Sequence, residues 1–434
     1  MACVSTRWKR ITQDPSLWKT VVIDWSAGPK MEYLLEKAVM LEKLHVNLGS
    51  VDWNLIARFS EQFVHLRELC VPLSALADPG ISVIIKKCRR IEEMTLHGRG
   101  TLLVKDVDVL SNICALKTLT LDDSIRVNDD VLSALCACSC KLEGLNFSAV
   151  LITWNATWHH FGKLHSLRSL AVKHISTTAL KTVSKNCPAL EVLKVDTILE
   201  DSPSVMDALS SMKKLKTLFV VGNCGGGWFE TDHNLPPLLE AFHVPRLKPN
   251  ECHMLKLAND CRKTLRRITI SGTLLTETSL LHVLVLSNLE TIRIDDVANG
   301  VALLRIVPRL PQLRTLEAST KSDMADIVRG LCSVVNVTDR SEHGQTLLTV
   351  NMLCASQESQ DRMLRELYRF KEYLLLNTRL SLKYVREFDE KWWQLKDSKL
   401  YWLPCGNRVL RTIGIRFPVV GQKLRRLTLT VDSS

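Results

Sequence analysis

Thr178–Val195, TALKTVSKNCPALEVLKV, is the stretch whose reading decides the fold. Its end places apolar residues at Leu190, Leu193 and Val195, an L-x-x-L-x-L pattern. Before it runs a short helical pattern, Leu180–Val183, closed by Asn186, Cys187 and Pro188. Side chains two apart in a strand share a face. Leu193 and Val195 are therefore expected to point inward together, with Leu190 turning into the same interior from the corner before the strand. Val192, Lys194 and Asp196 are expected to point outward.

The same phrase recurs along the chain. Its first apolar residue falls at Leu41, Leu66, Ile91, Leu116, Leu142, Leu167, Leu190, Leu215, Leu239, Leu265, Leu289 and Leu313, with gaps of 23 to 26 residues. Its second apolar residue (Leu44, Leu69, Met94, Leu119 and so on to Leu316) never slips from its place. A self-similar period of this length signals stacked repeats. One repeat buries too little apolar surface to offset the entropy of ordering it, so neighbours must stack and share a continuous core. The expected fold is α/β: a curved solenoid with a parallel sheet inside the bend and short helices outside.

Length and composition agree. A stack grows by addition, so 434 residues need not mean several globular domains. Apolar content of 46% argues against global disorder. The opening, MACVSTRWKR, lacks the apolar core of a secretory signal. No stretch approaches the 18 apolar residues of a membrane span. The fourteen cysteines are therefore read as reduced thiols of an intracellular protein, in cytoplasm, nucleus or both. Net charge is +11, and residues 361–434 hold 16 Lys/Arg against eight Asp/Glu, so most of the surplus is C-terminal.

Residues 1–30 do not repeat. They carry Cys3-x4-Trp8-Lys9-Arg10 and then Asp14-Pro15-Ser16-Leu17-Trp18, with Val4 one residue after the cysteine. This phrase resembles the second half of an F-box. The repeats of residues 31–320 resemble the cysteine-containing subtype of leucine-rich repeats, which favours Cys three residues before the first Leu, as at Cys88 and Cys187. Asn128-Asp129-Asp130 through Leu135 also fits that subtype's helix opening. Together, residues 1–320 resemble F-box/leucine-rich-repeat proteins. The opening L-P-x-E-x-L helix of an F-box is missing, and the chain begins in mid-motif. The resemblance implies a substrate receptor of an SCF-type ubiquitin ligase. Val4, Trp8, Pro15, Leu17 and Trp18 would then face the adaptor, with a cullin beyond it.

One repeat breaks the pattern. After Val221 the chain reads GNCGGGWFETDHNLPP, with three consecutive glycines and Pro236-Pro237 where a helix is due. A loop is expected here, with Trp228 and Phe229 near its tip. Past Lys321 the period fades. Strand-like runs remain at Ser333–Val337, Thr346–Val350, Val409–Phe417 and Leu424–Val431, and a helical pattern runs from Glu358 to Leu376. Residues 321–434 read as degenerate final repeats and a cap, the alternative being a separate α+β domain.

Motifs for catalysis or metal are weak. Cys136-x-Cys138-x-Cys140 lacks the spacing and second pair of a zinc site. His159, His160 and His165 show no partner that would make a base or ligand. Gly225–Gly227 lacks the rest of a phosphate loop. The basic tail lacks the dense stripe of a nucleic-acid binder. No enzyme activity, cofactor or metal is expected, and neither nucleic acid nor membrane as partner. What remains is a protein substrate held on the outward strand positions. Lys43, His45, Glu68, Glu93, Thr95 and His97 are polar candidates early in the chain. Phe219, Val221, His243, Arg267 and Arg293 follow later, with Trp228 and Phe229 either extending an apolar patch beside them or folding back over it.

Overall fold

The computed structural model describes residues 14–23, 28–47, 51–122, 124–138, 141–147, 151–152, 158–200, 203–222, 227–229, 233–297, 302–303, 306, 309–310, 312–320, 349–353, 410–417 and 425–432. The chain divides into two compact units, Met1–Leu215 and Lys216–Ser434.

Unit 1 begins with β1 (Thr20–Ile23), β2 (Lys43–Val46), β3 (Glu68–Pro72) and β4 (Glu93–His97). There follow β5 (Gly100–Thr101), β6 (Thr118–Leu121), β7 (Ile125–Val127), β8 (Gly144–Phe147), β9 (Leu151–Ile152), β10 (Ser169–Ile175) and β11 (Val192–Ile198). Eight of them pair in parallel in the order β1-β2-β3-β4-β6-β8-β10-β11, while β5, β7 and β9 form a small parallel sheet of their own. The register holds the apolar ladder in line: Val21↔Leu44↔Leu69↔Met94↔Leu119↔Leu145↔Leu170↔Leu193. The sheet thus starts at Thr20, inside the segment that was expected to lie outside the repeats.

Unit 2 runs through β12 (Thr217–Val220), β13 (Ala241–Val244), β14 (Arg267–Ser271), β15 (Thr291–Val297), β16 (Thr315–Thr320) and β17 (Thr349–Leu353), all parallel and in that order. Its ladder is Leu218↔Phe242↔Ile268↔Ile292↔Leu316↔Val350. The run 424–431, whose spacing matched the repeat, behaves otherwise: β18 (Leu410–Phe417) and β19 (Arg425–Asp432) form an antiparallel pair. An L-x-x-L-x-L pattern fixes which side chains share a face, and that alternation serves antiparallel pairing equally well.

Each unit is an α/β solenoid of the leucine-rich-repeat kind. Every first apolar residue of the phrase, Leu41 through Leu313, is buried, and so is every second one. Ahead of most rungs lies one recurrent turn. The first Leu donates its N–H to the carbonyl three residues back, as in Leu41 to Ala38, Leu66 to Phe63, Ile91 to Cys88, Leu190 to Cys187 and Leu215 to Met212, at 3.0–3.3 Å. The cysteine position is therefore an apolar plug in that turn, filled elsewhere by Phe63, Ile113, Leu164 or Met212, all buried. A thiol serves because it packs as a small hydrophobe.

Short helices connect the rungs, and their starts are written in the sequence. Asp52, Asp78, Asn128, Ser176, Asn250 and Thr276 each accept a backbone N–H of the first turn through their side-chain oxygen. Neighbouring helices pack side by side, as Trp53–Arg58 does against Pro79–Lys87. At that crossing a Cβ on Gly80 would lie 2.6 Å from the Trp53 carbonyl carbon, so only glycine permits the approach. Among the described residues two rungs show a 3-10 turn in place of an α-helix: Trp158–Lys163 between β8 and β10, and Gly227–Phe229 between β12 and β13.

Candidate functional site

In both units the strands bury one face against the helices and turn the other away from them. The outward face is the candidate surface. In unit 1 it is polar and open. Glu93 and Asp122 are exposed, and Thr95, His97, Thr118, Thr120, Asn146, Lys173, Lys194 and Asp196 are half-buried. The small Gly144 and Ala171 are buried, and so is Glu68, a carboxylate that receives the Lys43 ammonium and lies 3.0 Å from His45 Nε2. His97 Nε2 lies 2.7 Å from the Val46 carbonyl, two rungs away, and ties β4 back across the face.

In unit 2 the corresponding positions close over one another. Phe219 and Ala241 are buried, and the Phe219 ring lies 5.5 Å from that of His243. His243 Nδ1 and Thr269 Oγ1 are hydrogen-bonded at 2.8 Å, and Thr269 is only 2% exposed. The Arg293 guanidinium sits between Asp295 (3.5 Å) and Glu317 (3.6 Å), its side chain 14% exposed. Val221 is half-buried, and Arg267 alone among these candidates is exposed.

Trp228 and Phe229 require a correction. They do not extend an apolar patch at a loop tip: their exposures are 1% and 2%. Phe229 meets Phe242 of the core edge-on at 5.7 Å and lies 5.4 Å from the His253 ring, while Trp228 lies 4.7 Å from Phe229. The two rings pack into the interior in a repeat whose described residues form a 3-10 turn and no α-helix. A Gly-rich approach reads as a loop whichever way its aromatic residues point, so the sequence left both arrangements open.

At the other end, Asp14 caps the 3-10 turn Pro15–Trp18 by accepting the Ser16 N–H at 2.9 Å, which holds its carboxyl below the usual range. Leu17 is 55% exposed, Pro15 is exposed, and Trp18 is half-buried. Val4 and Trp8 lie outside the described residues.

The thiols and imidazoles fall into place around this core. Burial pushes the Cys88, Cys136, Cys187 and Cys261 thiols up to about 12. Cys88 and Cys187 point their Sγ at the Ser60 and Phe161 carbonyls of the preceding repeat, at 3.7 and 3.8 Å. A thiol held protonated is a poor nucleophile and metal ligand. Cys138 is exposed, and Cys140 lies outside the described residues. Among the described residues no group of His, Cys, Asp and Glu is placed to hold a metal ion. The His159 and His160 rings lie 4.0 Å apart, tilted by 48°, and burial, with His159 beside it, lowers the His160 pKa. No helix among the described residues is long and apolar enough to cross a membrane.

Comparisons with known proteins add little to this geometry. No protein-family profile matches the sequence, and no curated protein matches it. Among solved structures, the chain is similar to one in the crystal structure of the Rad7 and Elc1 complex in yeast, with TM-score 0.45 and 12% identity over 72% of this chain and 89% of that one. It is also similar to one in the TLR13–ssRNA13 complex, with TM-score 0.38 and 12% identity over 79% of this chain and 61% of that one. At such identities and scores the fold rests on the repeat register described above.

Proposed function

We propose that this chain is a non-catalytic substrate receptor of an SCF-type ubiquitin ligase, built as an F-box/leucine-rich-repeat protein of the cysteine-containing subtype. The observation that carries the receptor reading is the asymmetry of unit 1. Its inward strand positions are uniformly apolar and buried, while its outward ones vary in chemistry and, Glu68, Gly144 and Ala171 aside, stay at least partly exposed. A face with no common side-chain type has no packing job to conserve, and is free to be shaped to a protein. The adaptor reading is supported by the short turn Pro15–Trp18, which leaves Leu17 exposed ahead of the first strand. Buried thiols at the recurrent turn support the subtype. The work on substrate would be proximity: a receptor raises the local concentration of its target beside the ubiquitin donor without making bonds itself. Such a protein acts in cytoplasm or nucleus.

The test is co-purification from cells of the full chain and of L17A/W18A. Recovery of an SCF adaptor and a cullin with the first, and their loss with the second while a substrate protein remains, is the expected result. The alternative is a ligase-independent interaction scaffold that uses the same face. It predicts partner proteins without adaptor or cullin from either chain, and that outcome would overturn the ligase reading.

A further inference from the structure

We infer that the residue just ahead of the parallel strands β1, β2, β3, β4, β6, β8, β10 and β11, and again of β12 to β16, forms a charge-alternating ladder that dictates which repeats can stand side by side. In unit 1 the position reads Lys19, Glu42, Arg67, Glu92, and then Lys117, Glu143, Arg168, Glu191. In unit 2 it reads Lys216, Glu240, Arg266, Glu290, Arg314. The sign reverses at every step through these positions, ending before β17, which Leu348 precedes, while the residues beside these follow no such order.

The backbone makes this position a true ladder. The Lys19 carbonyl accepts two N–H groups from the next repeat, Glu42 at 2.8 Å and Lys43 at 2.9 Å. The same fork recurs from Glu143 to Arg168 and Ser169, and from Glu290 to Arg314 and Thr315. Each ladder side chain is thereby held one strand spacing, about 4.8 Å, from the next. Opposite charges meet across that gap: Lys19–Glu42 at 2.8 Å, Glu92–Lys117 at 3.2 Å, Arg168–Glu191 at 2.8 Å and Arg266–Glu290 at 3.0 Å. Arg168 also reaches back to Glu143 at 3.9 Å, so one guanidinium serves both neighbours.

Each such pair is exposed and weak in the native stack. The ladder acts on the wrong stacks. Repeats that share one apolar phrase can exchange places without disturbing the core, and misassembly is the characteristic failure of repeat proteins. A slip by one rung would set Lys19 against Arg67 and Glu42 against Glu92. Like charges directly opposite one another destabilise a sheet. Only a slip by two rungs would restore alternation. The apolar ladder says that repeats stack; the charged ladder says in which phase.

The test uses urea unfolding of the full chain at low salt. Glu42→Lys places three cations in a row, at positions 19, 42 and 67. Adding Lys19→Glu restores opposition at the first junction and leaves one like-charged junction. Each like-charged junction should raise the unfolding equilibrium constant about twofold to fivefold. E42K should therefore lose twice as much, on a logarithmic scale, as K19E/E42K. The other end supplies a replicate, in which E290R should lose more than E290R/R314E. Added salt at 1 M should erase both differences. Double variants as destabilised as their parent single variants, or differences that persist in salt, would overturn the ladder.

Discussion

Two sheet faces built on the same rung geometry behave differently here. The outward face of unit 1 carries polar side chains that stay at least partly exposed, such as Thr95, Thr120 and Lys173, beside the Lys43–His45–Glu68 cluster. The outward face of unit 2 is knitted sideways, Phe219 to His243 to Thr269, with Arg293 clamped between two carboxylates. The repeat fixes where outward side chains stand; side-chain size and hydrogen-bonding capacity decide whether they reach a neighbour or wait for a partner. The difference teaches that an outward position is not yet a binding position, and it makes unit 1 the better candidate surface.

The largest way to separate the units is pH. Among the described residues, three thiols pushed up to about 12 belong to unit 1 (Cys88, Cys136, Cys187), and one, Cys261, to unit 2. In the unfolded chain each titrates near its ordinary 9.0, while the folded chain keeps its proton up to about 12. The folded state then binds more protons than the unfolded one, so stability falls as pH rises through that window. The slope is about 1.4 kcal/mol per pH unit for each thiol. Hydrogen exchange followed from pH 8 to 11 should show unit 1 opening first. C88A/C136A/C187A should flatten its loss and leave that of unit 2 unchanged.

Next comes the repeat that breaks the pattern. Trp228→Ala should cost about 3–5 kcal/mol, the range for emptying a buried aromatic site. That is more than the loss expected for the half-buried Trp18→Ala, and urea midpoints of the two variants decide the order. Gly80→Ala, at the helix crossing of unit 1, should cost about 1–3 kcal/mol by overpacking against the Trp53 backbone. A loss confined to unit 1 in hydrogen exchange checks it.

How much of this was legible in the sequence follows from what each signal encodes. The spacing of Leu190, Leu193 and Val195 set strand, face and period, because a repeat that shares its core has no freedom in those three places. β1 was hidden, since Val21 and Ile23 follow a turn whose residues suggested another motif. Trp228 was hidden because burial of a loop aromatic depends on partners distant in sequence, here Phe229 and through it Phe242 and His253. The alternating charges stood in plain sight, but a sign pattern has meaning only once the register shows which side chains face each other. The closing of the unit 2 face was illegible for the same reason. His243 and Thr269 are 26 residues apart, and nothing local says that they will bond.

The smallest effects test the surface itself. Thr95→Ala and Thr120→Ala remove half-buried hydroxyls from adjacent rungs of the open face, and neither should move stability by more than about 0.5 kcal/mol. His243→Ala removes both a ring contact and the hydrogen bond to a buried Thr269, and should cost about 1–3 kcal/mol, because the hydroxyl loses its partner where water cannot replace it. Partner capture should reverse the ranking. If unit 1 is the binding face, T95A/T120A should release a protein partner from a stable chain, while H243A should keep it in proportion to the folded fraction. Capture by T95A/T120A equal to that of the unaltered chain, with loss in H243A at full folding, would move the binding face to unit 2. It would also show that a face knitted to itself can still be the one that a partner reads.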